Sequence, residues 1–426
     1  MRVKSYKDKD FFSFIARRIT LHKIPTNVQR AADKIFNRVL EQGRKALIDY
    51  TIQFDRNPIT VKTIKVSPEE FEKAKGLVPK SDQEIIKLAA KRIAAYHLKQ
   101  SLPPVRFDDG KGTVIEERAV PIDSVGLCIP GGRAPLASTV LMTAIPARIA
   151  GVKRIIIINP WPDGRMNAHV IFAAQLVGVK EIYKVGGAQA VAALARGIAP
   201  IPRVDKIVGP GSAWVTAAKA IAASQGLCGI DSLAGPSEVV VVADARAYPG
   251  CVAADLLSQA EHGDDSRAIL VTTSHRLAEK VDAELGRMIK GGPWPQAAGK
   301  RVEAVIVKDL KQAAFVVNQF APEHLEIIVK NPRSFLSKVR NAASIFIGPY
   351  SPVPAGDYMA GGNHVLPTGG TARWSSPLSV YDFVKRQTVT ELSKEALCSI
   401  KEPTARFAEI EGLHAHALSV RKRFSR

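Results

Sequence analysis

The 426-residue sequence predicts an α/β fold of two Rossmann-like domains with parallel sheets, preceded by a helical N-terminal region and followed by a C-terminal helical tail. From about residue 120, short apolar segments alternate with helical ones, the order that produces parallel strands joined by right-handed crossovers. The segment 155–158 is continuously β-branched without polar alternation, as strands covered on both faces are. Glycine-rich turns join several of the expected strands to the next helix, although the dinucleotide-binding fingerprint is incomplete in each.

The first hundred residues have helical signals instead. The segments 67–70 and 81–84 both read S-x-x-E, which predicts two capping boxes, and Pro68 would be the first helical residue of the first one. The apolar residues between 85 and 94 recur with helical spacing. We expect this region to be structural.

The alternating pattern defines the elements after residue 120. Strands are expected at 125–129, 152–159, 181–185, 205–208, 238–242, 269–273, 305–307 and 345–347, and helices at 141–150, 168–176, 188–196, 212–223 and 252–262. Beyond Ser351 the pattern changes to a long glycine- and proline-rich stretch, which is typical of a site-forming loop. Helical character returns at about 404–423.

Composition narrows the classes of function. The net charge of +20 suits either nucleic-acid binding or attraction of small anions. The basic residues are dispersed and no nucleic-acid-binding motif accompanies them, so we favour a protein whose ligands are small anionic molecules. Four widely spaced cysteines without a C-x-x-C pair argue against a disulfide framework and a cysteine zinc site, and suit a reducing cytosol. We find no signal peptide, and the apolar run at 155–158 is too short for a membrane span.

Three glycine-rich junctions, at 130–132, 186–187 and 209–211, are candidates for anion binding. Each could direct backbone N–H groups at a helix N-terminus toward a ligand. None completes G-x-G-x-x-G, since Trp214 occupies the place of the third glycine after Gly211. Tight turns alone would explain any single junction equally well, but three at one sheet edge favour a ligand.

Several polar residues stand in patterns that suggest chemistry. Gln259 and His262 are three residues apart on an expected helix capped by Gly263, so they could be two metal ligands or only a capped helix end. Glu323 and His324 are adjacent and suit separate acid/base tasks near neutral pH.

Further candidates follow in the C-terminal third. Asp357 and His364 lie in the glycine-rich stretch, and Glu411, His414 and His416 lie near the C-terminus. On one helix His414 and His416 would point about 200° apart, so they are not expected to bind one metal together. We treat the other four histidines, which are His22, His97, His169 and His275, as structural.

Taken together, ten stretches of this sequence resemble the histidinol dehydrogenase family over nearly the whole chain. They are PGGRAPLASTVLM, KVGGAQAVAALA, DKIVGPG, AGPSEVVVVAD, DLLSQAEHG, APEHLEI, GDY, NHVLPT, SPLSVYDFVKR and EGLHAH. Their order and separations suit that family, whereas no single stretch would be enough to indicate it.

This resemblance implies a four-electron oxidation of L-histidinol to L-histidine through an aldehyde, with two NAD⁺ used in succession. One zinc ion per subunit would be held by Gln259, His262, Asp357 and His416. His324 would be the general base and Glu323 would activate water. Substrate would be held by the metal ligands and His324 together with Ser237, His364 and Glu411, and NAD would contact Cys128, Gln189 and Ser212.

The family also implies a homodimer with shared sites, in which Glu411 and His416 complete the partner's site. The implied divisions are an arm at 1–25, a first α/β domain at 26–127 plus 238–378 with most catalytic and zinc residues, an NAD-binding α/β domain at 128–237 and a tail at 379–426. The implied location is the cytoplasm, with neither nucleic acid nor membrane as a partner.

Three positions depart from the family pattern. Cys128 stands where tyrosine is common, Ser212 where asparagine is common, and Trp214 replaces a different residue, whereas Gln189 matches. The departures concern cofactor binding and not the metal ligands. A related zinc- and NAD-dependent enzyme for another small polar alcohol, such as a sulfonated diol, is the alternative. Glu411 favours the amine-bearing substrate, because a carboxylate pairs with an amino group.

Overall fold

The computed structural model describes residues 1–18, 24–100, 102–131 and 136–425. Its strands are β1 (Arg2–Ser5), β2 (Val105–Asp108), β3 (Thr113–Pro121), β4 (Ser124–Cys128), β5 (Arg154–Ile158), β6 (Glu181–Tyr183), β7 (Lys206–Val208), β8 (Gly229–Ile230), β9 (Glu238–Ala243), β10 (Arg267–Thr272), β11 (Val302–Ile306), β12 (His324–Ile328), β13 (Ser344–Ile347) and β14 (Val384–Leu392).

The α-helices follow the alternation expected from the sequence. They are α1 (Phe11–Arg18), α2 (Thr26–Gln42), α3 (Arg44–Asp55), α4 (Pro68–Leu77), α5 (Lys80–His97), α6 (Ala137–Ala150), α7 (Ala168–Leu176), α8 (Gly187–Arg196), α9 (Ala213–Ser224), α10 (Pro249–Ala260), α11 (His275–Gly291), α12 (Leu310–Phe320), α13 (Pro332–Leu336), α14 (Val353–Tyr358), α15 (Lys394–Ile410) and α16 (His414–Arg421). Within the described ranges, no helix has the length and apolar character needed to cross a membrane.

The chain forms two compact units. The first contains residues 1–100 and 122–383, and the second contains residues 101–121 and 384–426. The first unit holds two parallel sheets, with strand orders β1-β11-β10-β9-β12-β13 and β6-β5-β4-β7-β8. This confirms the predicted α/β class. Residues Val239–Ala243 of β9 are all buried, which explains their continuous apolar sequence.

The N-terminal helices pack on the five-stranded sheet. Ile35 and Phe36 of α2 belong to one buried cluster with Ile156 of β5 and Tyr183 of β6. The expected first domain groups residues 26–127 with 238–378, and these bounds stay a prediction. The strand β4, whose bounds are Ser124–Cys128, is also the middle strand of the five-stranded sheet. Contacts between segments far apart in sequence decide this packing.

Of the two capping boxes predicted in this region, one forms. The Ser67 side chain accepts the backbone N–H of Glu70 at 3.3 Å, and the Glu70 carboxylate accepts the Ser67 N–H at 2.8 Å. The second is wrong, because α5 begins one residue before Ser81, which places the Ser81 hydroxyl inside the first turn, against Asp82. The helix α5 itself is confirmed. Pro79 occupies its N-cap position and has no side chain that could accept a hydrogen bond there, so no side-chain cap forms.

The second unit consists of an antiparallel sheet, in the order β14-β3-β2, and the helices α15 and α16. The helical tail expected at about 404–423 is confirmed, and it consists of two helices because the chain turns at Gly412, where φ is 76°. The buried apolar residues described in this unit are only Ala396, Ala405 and Ala417. Larger apolar side chains remain exposed, Phe407 and Ile410 among them.

Candidate active site

The adjacent residues Glu323 and His324 lie buried at the start of β12. Since β12 pairs with β9, both side chains meet the backbone of Glu238. The Glu323 carboxylate accepts the Glu238 N–H at 2.9 Å, and His324 Nδ1 lies 3.1 Å from the Glu238 carbonyl oxygen. That contact makes Nδ1 the donor, which leaves Nε2 free to act on a ligand.

The buried surroundings shift the pKa values of both Glu323 and His324. Burial raises the pKa of Glu323 to about 7, although His324 opposes the shift. Burial alone would lower the pKa of His324, but the carboxylates of Glu323 and Asp357 outweigh it and raise that pKa to about 9. The pair therefore exchanges protons in the range used for acid/base catalysis.

Two further predicted residues converge on this pair. Asp357, on the short helix α14, places Oδ1 at 3.6 Å from His324 Nε2, a distance suited to charge attraction but too long for a hydrogen bond. His364 Nδ1 lies 3.0 Å from the Asp357 carbonyl oxygen, and its Nε2 lies 3.3 Å from the Thr139 hydroxyl. Burial lowers the pKa of His364, and the nearby Asp357, His324 and His262 also act on it. The structure thus gathers Glu323, His324, Asp357 and His364 around one point.

The pair Gln259 and His262 does not share a helix face as the spacing predicted. The helix α10 ends at Ala260, Glu261 occupies its C-cap, and His262 lies in the following turn, exposed. Gly263 is therefore not the cap. Gln259 remains inside the helix, buried, and its side-chain amide nitrogen has no hydrogen-bond partner among the described residues.

The donors in the first unit suit a metal in chemical type, but they form no complete set. Gln259, His262 and Asp357 offer amide, imidazole and carboxylate groups, and zinc accepts imidazole and carboxylate ligands readily. Among the residues that the structure describes, no group of three or more His, Cys, Asp or Glu side chains could hold a metal ion. The fourth expected ligand, His416, belongs to the second unit. The unpartnered amide nitrogen of Gln259 is a donor that lacks an acceptor, whereas a metal would bind the amide oxygen.

In the second unit, the two remaining predicted residues line one groove. Glu411 is the C-cap of α15 and His416 lies in the first turn of α16. Both border a groove of about 820 Å³ together with the apolar side chains of Phe407 and Leu413. A carboxylate and an imidazole beside apolar surface can contribute to a site for a polar ligand.

A cavity of about 800 Å³ lies at the carboxyl ends of strands in the five-stranded sheet. Cys128, Gln189 and Ser212 all line it, and Ser237 borders it as well. Burial raises the pKa of the Cys128 thiol to about 12, so the thiol is protonated at neutral pH and contributes an apolar part of the cavity wall. The cavity follows the rule that open α/β sheets bind ligands beyond the carboxyl ends of their strands.

Glycine is required at two points of the cavity wall. A Cβ on Gly131 would lie 2.2 Å from the Pro160 carbonyl oxygen, and one on Gly209 would lie 2.6 Å from the Cys128 carbonyl oxygen. Gly209 also has φ of 110°, a conformation that other residues avoid. Close approach of strand ends, and not only turn formation, explains these glycines.

A buried ion pair supports the Gly209 turn, and the sequence did not predict it. Lys219 on α9 pairs with Asp231, with side chains 2% and 5% exposed. Asp231 also accepts the Gly209 N–H at 2.7 Å, and the Lys219 ammonium donates to the Gly209 carbonyl oxygen at 3.0 Å. The one feature of the sequence that could have indicated this ion pair is the single lysine in the mostly apolar helix AWVTAAKAIAAS.

A second unpredicted device joins three elements of the acid/base centre. Glu326, on the same face of β12 as His324, accepts the N–H of Val353 at 2.8 Å, at the start of the helix that carries Asp357. Burial raises the pKa of Glu326 to about 9, and Asp255 on α10 adds to the shift. The pKa of Asp255 is raised as well, again by burial. Glu326 thereby joins β12 to α14, and its electrostatic interaction with Asp255 extends this connection to α10.

Two of the histidines expected to be structural have side-chain partners in the structure. His97 lies buried with Nδ1 2.7 Å from Gln100, and His169 pairs with Asp82 at 2.9 Å. His275 begins α11, and His22 lies outside the described residues.

Comparison with known proteins gives one consistent result. The family model for histidinol dehydrogenase matches residues 21–424. A histidinol dehydrogenase of Bacillus cereus is 44% identical over 405 residues, covering 94% of both chains, and that of Syntrophotalea carbinolica is 41% identical, covering 99% of this chain and 98% of its own. The crystal structure of histidinol dehydrogenase from Elizabethkingia anophelis matches with a TM-score of 0.93 at 36% identity, over 100% of this chain and 98% of that one. The chain with its buried Glu323–His324 pair therefore belongs to the histidinol dehydrogenase family, a family of oxidoreductases.

Proposed function

We propose that this protein oxidises L-histidinol to L-histidine through L-histidinal, with two NAD⁺ consumed in succession and one zinc ion per subunit. The observation that carries the proposal is the convergence of Glu323, His324, Asp357 and His364 within one buried cluster, beside a cavity large enough for a cofactor. Membership of the family supports the same reaction.

The acid/base work falls to the two residues of β12. His324 takes the hydroxyl proton of the alcohol, since its Nδ1 faces the Glu238 carbonyl and its Nε2 lacks a hydrogen-bond partner among the described residues. Glu323 then takes a proton from the water that adds to the aldehyde. Its pKa of about 7 lets it accept that proton and release it again near neutral pH.

Substrate is held by residues around this pair. Ser237 and His364 contact it from the first unit, along with Gln259, His262 and Asp357. When bound, zinc supplies a Lewis acid for the substrate oxygen and NAD⁺ supplies the hydride acceptor. Since Asp357 is one of the two carboxylates that raise the pKa of His324, a cation on Asp357 weakens that effect and favours His324 as a base.

We further propose a homodimer in which Glu411 and His416 of one subunit complete the site of the other. The second unit buries only three alanines among its described apolar residues, whereas Phe407 is 64% exposed and Ile410 is 67% exposed. Contiguous exposed apolar side chains mark surfaces that another chain covers. Glu411 in the shared site would pair with the amino group of the substrate.

The cofactor cavity accepts the dinucleotide through Cys128, Gln189 and Ser212. Cys128 provides an apolar wall, Gln189 an amide and Ser212 a hydroxyl at the start of α9. Helix N-termini at this edge favour the diphosphate. None of the four cysteines is in a disulfide, and we place the protein in the cytoplasm on the grounds of its proposed biosynthetic role.

The direct test is the number of NADH molecules formed per L-histidinol consumed, in zinc-loaded protein and after treatment with a chelator. We expect two equivalents and loss of turnover on chelation that added zinc reverses. One equivalent, or turnover only with other alcohols such as sulfonated diols, would contradict the proposal and favour the paralogous activity.

Variants at the acid/base pair separate the two half-reactions. H324Q should slow the oxidation of L-histidinol, whereas E323Q should slow the oxidation of supplied L-histidinal more than that of the alcohol. H169Q is a matched control, because His169 also lies 2.9 Å from a carboxylate but far from this pair in the fold, on α7. Equal effects of E323Q on both substrates would contradict the assigned role of Glu323.

A further inference from the structure

The cofactor cavity contains one carboxylate to which neither the family resemblance nor the acid/base chemistry assigns a role. Asp55, the last residue of α3, lines this cavity next to Phe54. Its Oδ2 atom is buried and has no hydrogen-bond partner among the described residues. Apart from Cys128, Asp55 is the only ionisable side chain among the described residues that line the cavity.

Stability of the fold does not explain an aspartate at this position. Burial raises the pKa of Asp55 to about 6, so the surroundings disfavour the charged form. A carboxylate at the C-terminus of a helix also opposes the helix dipole. The neighbouring Arg56 does not compensate it, since the guanidinium of Arg56 pairs with Asp163 at 2.7 Å. An unfavourable buried charge that faces a cavity indicates a ligand that donates hydrogen bonds.

The position of Asp55 shows which part of a dinucleotide would reach it. The helix α3 packs against α8 and against the turn Pro162–Gly164, so Asp55 lies on the β6 and β5 side of the sheet. Ser237 borders the same cavity but directly precedes Glu238, whose N–H binds Glu323. The end near Ser237 is therefore the end where oxidation occurs.

Resting on the proposed function, we infer that Asp55 accepts hydrogen bonds from the hydroxyl groups of the adenosine ribose of NAD and thereby selects NAD over NADP. The nicotinamide must lie near the carbinol at the Ser237 end, which sends the adenosine half toward β5 and β6. A carboxylate is a suitable acceptor for two neighbouring ribose hydroxyls. The 2′-phosphate of NADP would replace one of those donors with negative charge, and the carboxylate would repel it.

The test compares D55N with the matched variant D49N. Asp49 lies on the same helix but is exposed, and it pairs with Lys45 at 2.8 Å. The variant D49N therefore removes the same charge without changing a residue that lines the cavity. Calorimetry of NAD and NADP binding to each purified full-length protein gives the dissociation constants directly. Steady-state kinetics with L-histidinol then give kcat and KM for each cofactor.

We expect D55N to weaken NAD binding about tenfold or more, as loss of a charged hydrogen-bond acceptor does. The same variant should lower the preference for NAD over NADP by a larger factor, keep kcat at saturating NAD, and unfold at the same temperature or higher without cofactor. D49N should change none of these cofactor constants.

Two outcomes would overturn the inference. Unchanged NAD affinity and unchanged cofactor preference in D55N would remove Asp55 from the binding site. Equal weakening of NAD and NADP together with a lower unfolding temperature would mean that Asp55 serves only the fold. Failure of the unaltered protein to bind NAD would overturn the proposed function itself, whereas normal binding with an indifferent D55N would overturn only the role of Asp55.

Discussion

Removal of one partner from the buried pair of Lys219 and Asp231 should destabilise the protein strongly. Asp231→Asn keeps the size of the side chain and an oxygen that can accept the Gly209 N–H, so the main loss is the charge opposite Lys219. Both side chains are almost inaccessible to solvent, and stranding one such charge costs about 3–5 kcal/mol. Lys219→Met strands Asp231 instead and should cost about as much.

The double variant distinguishes a stranded charge from simple loss of contacts. With both charges removed, the chief remaining defect is the Gly209 carbonyl oxygen without its donor, which costs about 1–2 kcal/mol. The double variant should therefore be more stable than either single variant. Urea unfolding followed by tryptophan fluorescence measures this, since Trp214 lies on the same helix as Lys219.

The exposed pair of Lys45 and Asp49 provides the control. Its side chains are 73% and 44% exposed, so K45M and D49N should each change stability by less than about 1 kcal/mol. If D231N costs no more than these controls, or if the double variant loses the sum of the two single effects, the reasoning from burial is refuted.

Three other predictions follow from local features. Ser67→Ala removes an observed capping box and should lower stability by about 1 kcal/mol in urea unfolding, whereas Ser81→Ala should have little effect, and equal losses would contradict the assignment. The pKa of Glu326 is raised from 4.5 to about 9 in the fold, so the stability linked to its proton is fully present below pH 4.5 and is lost as pH rises from about 4.5 to about 9. E326Q should therefore flatten the fall in unfolding free energy across that range, and an unchanged slope would argue against a protonated Glu326 in the fold. If sites are shared between subunits, mixing inactive His324→Ala and His416→Ala proteins should restore up to about a quarter of the activity after random exchange, because half the dimers then hold one intact site. No recovery after confirmed exchange would contradict a shared site.

Much of the fold followed from local patterns in the chain. The apolar segment 155–158 and its neighbours predicted parallel strands, and the structure confirms them in two parallel sheets. The bounds of α7 agree with the predicted 168–176 because glycine ends the helical pattern there. The second capping box failed because S-x-x-E describes spacing only, while the true start of α5 depends on the preceding Pro79.

Site residues were less predictable than elements. The spacing of Gln259 and His262 suggested one helix face, but α10 ends before His262. The pairing of Asp255 with Glu326 had no local signal, since the two residues lie on different elements. The resemblance to a family supplied a list of residues, and the assigned roles of those residues stay proposals until the variants are measured.

Residue types and their periodicity determined the α/β class, the order of strands and helices and the presence of adjacent Glu323 and His324, because those features depend on neighbours along the chain. Only tertiary structure decided that β12 lies next to β9, although β10 and β11 intervene in sequence. That adjacency brings the Glu238 N–H to Glu323 across 85 positions and buries the pair, which is what shifts both pKa values. The same holds for Asp55, an ordinary helix-terminal aspartate in the sequence, which acquires its unpartnered oxygen only where α3 packs against the cavity. Burial and charge pairing arise between distant segments, and no local pattern encodes them.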